Sequence, residues 1–312
     1  NRTRVQNHVT GPRHVYTGIG QGSVLGPATF LVCVLDVEVV LQRTRERVED
    51  MFPELKTKKD DLRLFCVGFA DDISGLVDCH DPNIMRATLT IMSEEYKKYF
   101  TAQGLKVNPD KEEHITWAKT VAERAEVTLQ GRDSMPTLKL LGITVDNTYS
   151  FMPHAVAVTR RMMERVSYLY RVRDYITQKV LIMLLRSLLL SIAEFGIEIH
   201  GRALAVKKKL QKTLNVALRV ATHGDRMTSV CRMLMDTGLM NMELTHKYYL
   251  VMSVERLIAT EGSSLEMEVV RRGQCHQYNT RTRSMLAEWR PYTNIGYNSH
   301  LLTALKVYNE LK

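Results

Sequence analysis

Apolar positions recur along this chain with two different periods, and the change of period divides it. Leu62, Leu64 and Cys66 alternate with Arg63, Phe65 and Val67. Gly68-Phe69-Ala70-Asp71-Asp72 then interrupts before Ile73-Ser74-Gly75-Leu76-Val77 resumes. A repeat of two predicts two short strands around a tight acidic turn. The repeat lengthens next: Ile84, Thr88, Met92, Tyr96, Tyr99 and Phe100 share one side of a helix that stops at Gly104, a C′ glycine, before the extended Leu105-Lys106-Val107-Asn108-Pro109. Leu138 to Val145 reads as a second strand pair or a bent strand, closing on the turn-like Asp146-Asn147. Upstream, Gly18-Ile19-Gly20-Gln21-Gly22-Ser23 is a glycine-rich loop running into an apolar helix from Leu25 to Leu35, with Pro27 in its first turn.

Beyond residue 150 the helical period takes over. Val156, Met163, Val166 and Tyr170 predict one stripe, and Val206, Leu210, Leu214 and Leu218 another. Strands and helices interleave early without a regular βαβ repeat, and helices follow. The expected class is α+β, a small antiparallel sheet with packed helices leading into a mostly α-helical region. Residues 1–150, 151–223 and 224–312 are the expected divisions.

Charge sharpens the division. The 312 residues are 45% hydrophobic and 25% charged, enough for a substantial core, with a formal net charge of +9. The excess lies in residues 151–223, with 13 basic residues against 4 acidic ones, while residues 1–150 are slightly acidic. Lys207, Lys208, Lys209, Lys212 and Arg219 flank the second stripe, so one helix has an apolar face and a cationic one, either simply solvated or turned to an anionic partner. Five scattered cysteines without Cys-x-x-Cys spacing point to reduced thiols and an intracellular setting. No segment reads as membrane-spanning, and the start Asn1-Arg2-Thr3-Arg4, without methionine, suggests a piece of a longer reading frame.

The candidate chemistry is the turn. Asp71 and Asp72 set like charges side by side with no Lys or Arg in the turn to neutralise them, an arrangement favoured by a neighbouring cation. Hard oxygen donors suit Mg²⁺, which keeps positions open for phosphate oxygens. Taken alone, the dipeptide is a weak signal and more often a plain surface turn.

It is one of four motifs in order. Gly20-Gln21-Gly22-Ser23-Val24-Leu25-Gly26-Pro27, Phe69-Ala70-Asp71-Asp72, Gly104-Leu105-Lys106-Val107-Asn108-Pro109-Asp110-Lys111 and Leu138-Lys139-Leu140-Leu141-Gly142-Ile143 resemble consecutive palm motifs of reverse transcriptases of the non-LTR, LINE-type retrotransposon class. Lys209 to Asn215, with Ala217 and Arg219, is similar to the thumb of those polymerases, and Asn279 to Arg283 and Val307 to Leu311 resemble their closing segment.

The resemblance implies an RNA-directed DNA polymerase fragment with a partial palm, a basic helical thumb and a helical C-terminal region. It implies two Mg²⁺ ions in the complete enzyme, with Asp71 as principal metal ligand and Asp72 as the second carboxylate. Phe69 and Ala70 would lie beneath the primer terminus, and Gly20, Gln21, Gly22 and Ser23 against the nucleotide and template base. Lys111 would neutralise or protonate the leaving pyrophosphate, or else be a solvated lysine of its Lys-Glu-Glu run. Leu140, Leu141 and Gly142 would be the primer grip, and Lys139, Lys207, Lys208, Lys209 and Lys212 would reach phosphates. RNA template, DNA primer or target and deoxynucleoside triphosphates are the implied partners, and nucleus and cytoplasm the implied location.

The departures qualify this. A third metal-binding aspartate and the fingers are expected upstream of Asn1, and Gly20 replaces the proline common before Gln-Gly. The alternative is a catalytically incomplete relic or co-opted fragment that binds nucleic acid or serves as a structural protein.

Overall fold

The computed structural model of the protein describes residues 4–5, 8–9, 24–57, 61–118, 126–259 and 300–311. By backbone proximity the chain forms two compact units, Asn1–Ser134 and Met135–Lys312.

In the first unit, β1 (Arg4–Val5) pairs antiparallel with β2 (His8–Val9). The apolar segment after the glycine-rich loop forms α1 (Gly26–Cys33) with Pro27 in its first turn, and none of its side chains is buried. α2 (Val39–Met51) buries Val40, Thr44 and Val48, one per turn, against α3 (Pro82–Ala102). Arg47 of α2 fixes the pair by reaching Glu94 at 2.9 Å and Glu95 at 2.7 Å. α3 begins where Asp81 accepts hydrogen bonds from the Asn83 and Ile84 amides. It ends at Gly104, whose φ of +73° takes the left-handed C′ conformation read from the sequence.

Between these helices runs a hairpin. β3 (Leu62–Phe69) pairs antiparallel with β4 (Asp72–Cys79), in register from Leu62 opposite Cys79 to Phe69 opposite Asp72. Its base joins a core of Val48, Leu55, Leu62, Ile84 and Ile91, with Leu64, Val77 and Cys79 packed against it. Phe65, Val67, Phe69 and Leu76 face outward and stay exposed.

The second unit opens with the hairpin β5 (Thr137–Leu140) and β6 (Ile143–Asp146). Asp146, nearly buried, organises the turn into the helices, accepting hydrogen bonds from the Phe151 amide at 2.7 Å, the Ser150 amide and hydroxyl, and the Thr148 hydroxyl. Burial opposes ionisation there, yet these donors outweigh it and hold the carboxyl below its ordinary range. Helices follow: α4 (Met152–Val172), α5 (Gln178–Leu185), a π-helical turn (Arg186–Leu190), α6 (Ser191–Glu194), α7 (Ile197–His200), α8 (Leu204–Thr222), α9 (Val230–Thr237), α10 (Met242–Ala259) and α11 (His300–Leu311).

The α8 stripe is as read: Val206, Leu210, Leu214 and Leu218 are fully buried, each contributing about 1.5–3 kcal/mol. The α4 stripe is not. Only Val166 of the expected four is buried, while Val156, Met163 and Tyr170 are exposed. The packed face is instead Ala155, Val158, Met162, Val166 and Leu169. Both sets fit helical spacing, and the choice falls to the one that meets α8. A separate core joins α10 and α11 through Leu250, Val254, Ala304, Leu305 and Tyr308. Among the described residues no helix is long and apolar enough to cross a membrane, and four cysteines there are free thiols.

Candidate active site and nucleic-acid interface

Pairing of Phe69 with Asp72 reduces the acidic turn to two residues, Ala70 and Asp71. Such loops demand a positive φ, and Ala70 adopts +52°, a conformation favoured by glycine or asparagine. The turn therefore holds Asp71 and Asp72 at the end of a fully paired ribbon, both exposed to solvent. Neither carboxylate has an ion pair or hydrogen bond among the described residues. Adjacent uncompensated carboxylates repel, and a hard divalent cation fits that oxygen set. Among the described residues no three His, Cys, Asp or Glu side chains converge on a metal position. Phe69 and Ala70 are exposed beside the carboxylates.

Lys111 closes a 3-10 turn (Pro109–Lys111) capped by Asn108, whose side chain accepts from the Asp110 amide at 3.0 Å. Its neighbour Glu112 turns inward to Lys97 at 2.8 Å and to the Ser93 hydroxyl, whereas Lys111 stays exposed and has no ion-pair partner among the described residues. Gly20, Gln21, Gly22 and Ser23 lie outside the described residues.

In the second unit, Leu140, Leu141 and Gly142 form the tip of the β5–β6 hairpin. Leu141 at φ +46° and Gly142 at φ +90° make a two-residue loop with both positions left-handed, and leucine there is strained by about 1–2 kcal/mol. Leu140 and Leu141 remain exposed despite their size. Lys139, opposite Thr144 on β5, is exposed.

The cationic face of α8 divides. Lys207, its side chain only 13% exposed, turns to Glu243 of α10 at 2.5 Å. That ammonium, against a smaller burial effect, holds the Glu243 carboxyl below its ordinary range. Lys207 is thus engaged inside the protein, Lys209 is half-buried, and Lys208 and Lys212 point to solvent.

Sequence reasoning missed the companion face on α4, where Arg160, Arg161, Arg165 and Arg171 are exposed. Arg165 and Arg171 lie over Tyr168, with guanidinium carbons 5.9 and 5.1 Å from the ring centroid, and Arg173 lies 4.3 Å from that of Tyr170. Both tyrosines are exposed rather than packed in the core. An open cleft of about 480 Å³ between α4 and α8 is lined by Tyr170, Arg171, Arg173 and Arg219 with apolar Val166 and Val216. Arginines three residues either side of a tyrosine were the available signal.

Residues 3–145 match the family Reverse transcriptase (RNA-dependent DNA polymerase). The chain is 30% identical over 174 residues to the probable RNA-directed DNA polymerase from transposon BS of Drosophila melanogaster, an alignment covering 53% of this chain and 17% of that protein. It is 23% identical over 215 residues to the RNA-directed DNA polymerase from mobile element jockey of the same organism, covering 67% of this chain and 22% of that protein. The chain thus spans about a fifth of the length of these curated relatives. No solved structure matches it significantly. Over residues 3–145, which contain the acidic turn, the chain is thus similar to reverse transcriptases, and both of these relatives come from mobile elements.

Proposed function

We propose that this chain is part of an RNA-directed DNA polymerase that extends a DNA primer on an RNA template from deoxynucleoside triphosphates. The observation that carries the reading is the exposed Asp71–Asp72 pair, uncompensated by any cation among the described residues, at a two-residue turn inside the family-matched region. Asp71 and Asp72 would hold Mg²⁺, two ions in the complete enzyme, which when bound activates the primer 3′-hydroxyl and stabilises charge on the phosphate. Further ligands come from outside the described residues. Exposed Lys111 supplies a cation for the departing pyrophosphate. Gly20 to Ser23 and Phe69–Ala70 line the nucleotide and template. Leu140, Leu141 and Gly142 seat the primer, with Lys139 at its phosphates. Lys208 and Lys212, with Arg165 and Arg171 of α4, grip the duplex without reading sequence. Residues 1–150 act as palm, 151–223 as thumb and 224–312 as the C-terminal region, in a protein of nucleus and cytoplasm.

The test has two arms. In the full-length reading frame, Asp71→Ala should abolish Mg²⁺-dependent primer extension on RNA while leaving primer–template binding intact. In the 312-residue chain, Lys208→Ala with Lys212→Ala should weaken duplex binding and lower the salt dependence of log K by about 0.9 per lost phosphate contact. Lys207→Ala, which breaks an internal ion pair, should leave that slope alone. Extension that survives Asp71→Ala refutes the assignment, and binding without extension by the full-length protein would return the chain to a nucleic-acid-binding relic.

A further inference from the structure

The hairpin tip does not stand alone. The Phe195 ring, in the break between α6 and α7, lies against it so closely that a Cβ at Gly142 would come within 3.1 Å of the ring edge. The next residue, Gly196, takes φ +67° and lies so near Ile143 that a Cβ there would stand 2.5 Å from the Ile143 Cδ1. Two glycines, one on each element, thus allow the tip and the break to touch.

Two buried histidines fasten the same junction. His200 Nε2 donates to the Phe195 carbonyl at 3.2 Å, and His154 Nδ1 accepts from the Thr144 amide on β6 at 3.2 Å. Their rings lie 4.7 Å apart between centroids. An amide N–H only donates, so the His154 ring is neutral with its proton on Nε2, and a carbonyl only accepts, so His200 carries a proton on Nε2. The break and the hairpin are therefore anchored to each other through side chains with almost no exposure.

What this anchoring presents is unusual for a rigid junction. Phe195 is 56% exposed, Leu141 45% and Leu140 40%, and Leu141 is held in a strained conformation. Strain and large exposed apolar groups, both unfavourable in a free surface, persist where the surroundings over-determine them and a ligand makes use of them. The ligand favoured here presents flat apolar sugar and base faces together with a phosphate chain, for Lys139 is exposed two residues before the turn.

We infer that Phe195 joins Leu140, Leu141 and Gly142 in one platform that seats the primer strand, the ring lying against a primer sugar or base near its 3′ end. Phe195 is a primer-contact and positioning residue, not a catalytic one. The inference rests on the polymerase reading, and extends the primer grip from a hairpin to a junction of hairpin and helix break.

In the full-length protein, Phe195→Ala should raise the KM for primer–template about tenfold, the worth of one lost stacking contact, with a smaller change in kcat. Phe195→Tyr, which keeps the ring, should restore it. Because Phe195→Ala could disturb the junction, the wild-type protein is also irradiated on a primer carrying 5-iodouracil in its last three positions, and the adduct is mapped by mass spectrometry. An adduct on Phe195 or Leu141 supports the platform. An adduct confined to other residues, or a Phe195→Ala enzyme with wild-type KM beside a Lys208→Ala, Lys212→Ala enzyme whose KM rises, overturns it while the polymerase reading stands. A wild-type protein that neither binds nor extends a primer overturns both.

Discussion

Replacing Gly196 by alanine tests the junction of hairpin and helices through two separable costs. The first is conformational: φ of +67° is open to glycine but costs an L-residue about 1–2 kcal/mol. The second is steric. The new Cβ would stand 2.5 Å from Ile143 Cδ1 and 3.3 Å from its Cγ1, and Ile143 is buried, so one of the two elements must shift. Overpacking of this kind costs about 1–3 kcal/mol. The expected loss is therefore about 2–5 kcal/mol, a large part of the ~5–15 kcal/mol by which a domain is stable. Urea unfolding followed by far-ultraviolet circular dichroism reads it as a lowered midpoint, since the second unit holds most of the helix. Ile143→Val deletes only Cδ1, at a cost of about 0.5–1.5 kcal/mol. In the double variant the steric part should disappear, leaving a favourable coupling of about 1–3 kcal/mol. Additive losses, or a Gly196→Ala midpoint equal to wild type, would refute the close approach.

Two further outcomes follow from the same fold. Burial pushes the His200 imidazole down to about 4, helped by His154 and His246, and burial likewise lowers His154. Both folded values lie below the ordinary one, so their contribution is complete above pH ~6.5 and is lost as pH falls towards 4, about 2 kcal/mol by pH 5 for His200. Glu194, raised by burial against the Tyr249 hydroxyl, works the other way, so the slope is compared with that of His200→Gln, and identical slopes would count against the buried pair. At the acidic turn, Ala70→Gly relieves a φ of +52° and should raise the protection of the Gly68–Ile73 amides in hydrogen exchange by about 1 kcal/mol, whereas lowered protection would contradict the strain.

Some of this was legible beforehand and some was not. The β3–β4 hairpin announced itself because its inner positions alternate and its outer ones are interrupted by Asp71–Asp72, a local signal. The α8 stripe was equally local, with four large aliphatic residues and lysines on the flanks. α4 misled because Val156, Met163 and Tyr170 carry apolar groups on the solvent side, and small Ala155 forms part of the packed face instead. The division of the lysines was hidden because Lys207 is set apart by Glu243, which lies 36 positions along the chain. Phe195, His154 and His200 carried no signal, since their roles depend on contacts with β5–β6 that only folding creates. The similarity to reverse transcriptases was readable from the order of short motifs, none of which depends on packing.

The β3–β4 ribbon is mechanically a cantilever. It is clamped at its base, where Leu62, Leu64, Val77 and Cys79 meet the helices, while the outward flank of Phe65, Val67 and Phe69 is uncovered up to the tip. A beam loaded at its free end deflects most there, and the free end is the Asp71–Asp72 turn. The stiffness of the ribbon therefore governs the position of the carboxylates, and anything that braces the bare flank sharpens their aim without touching them.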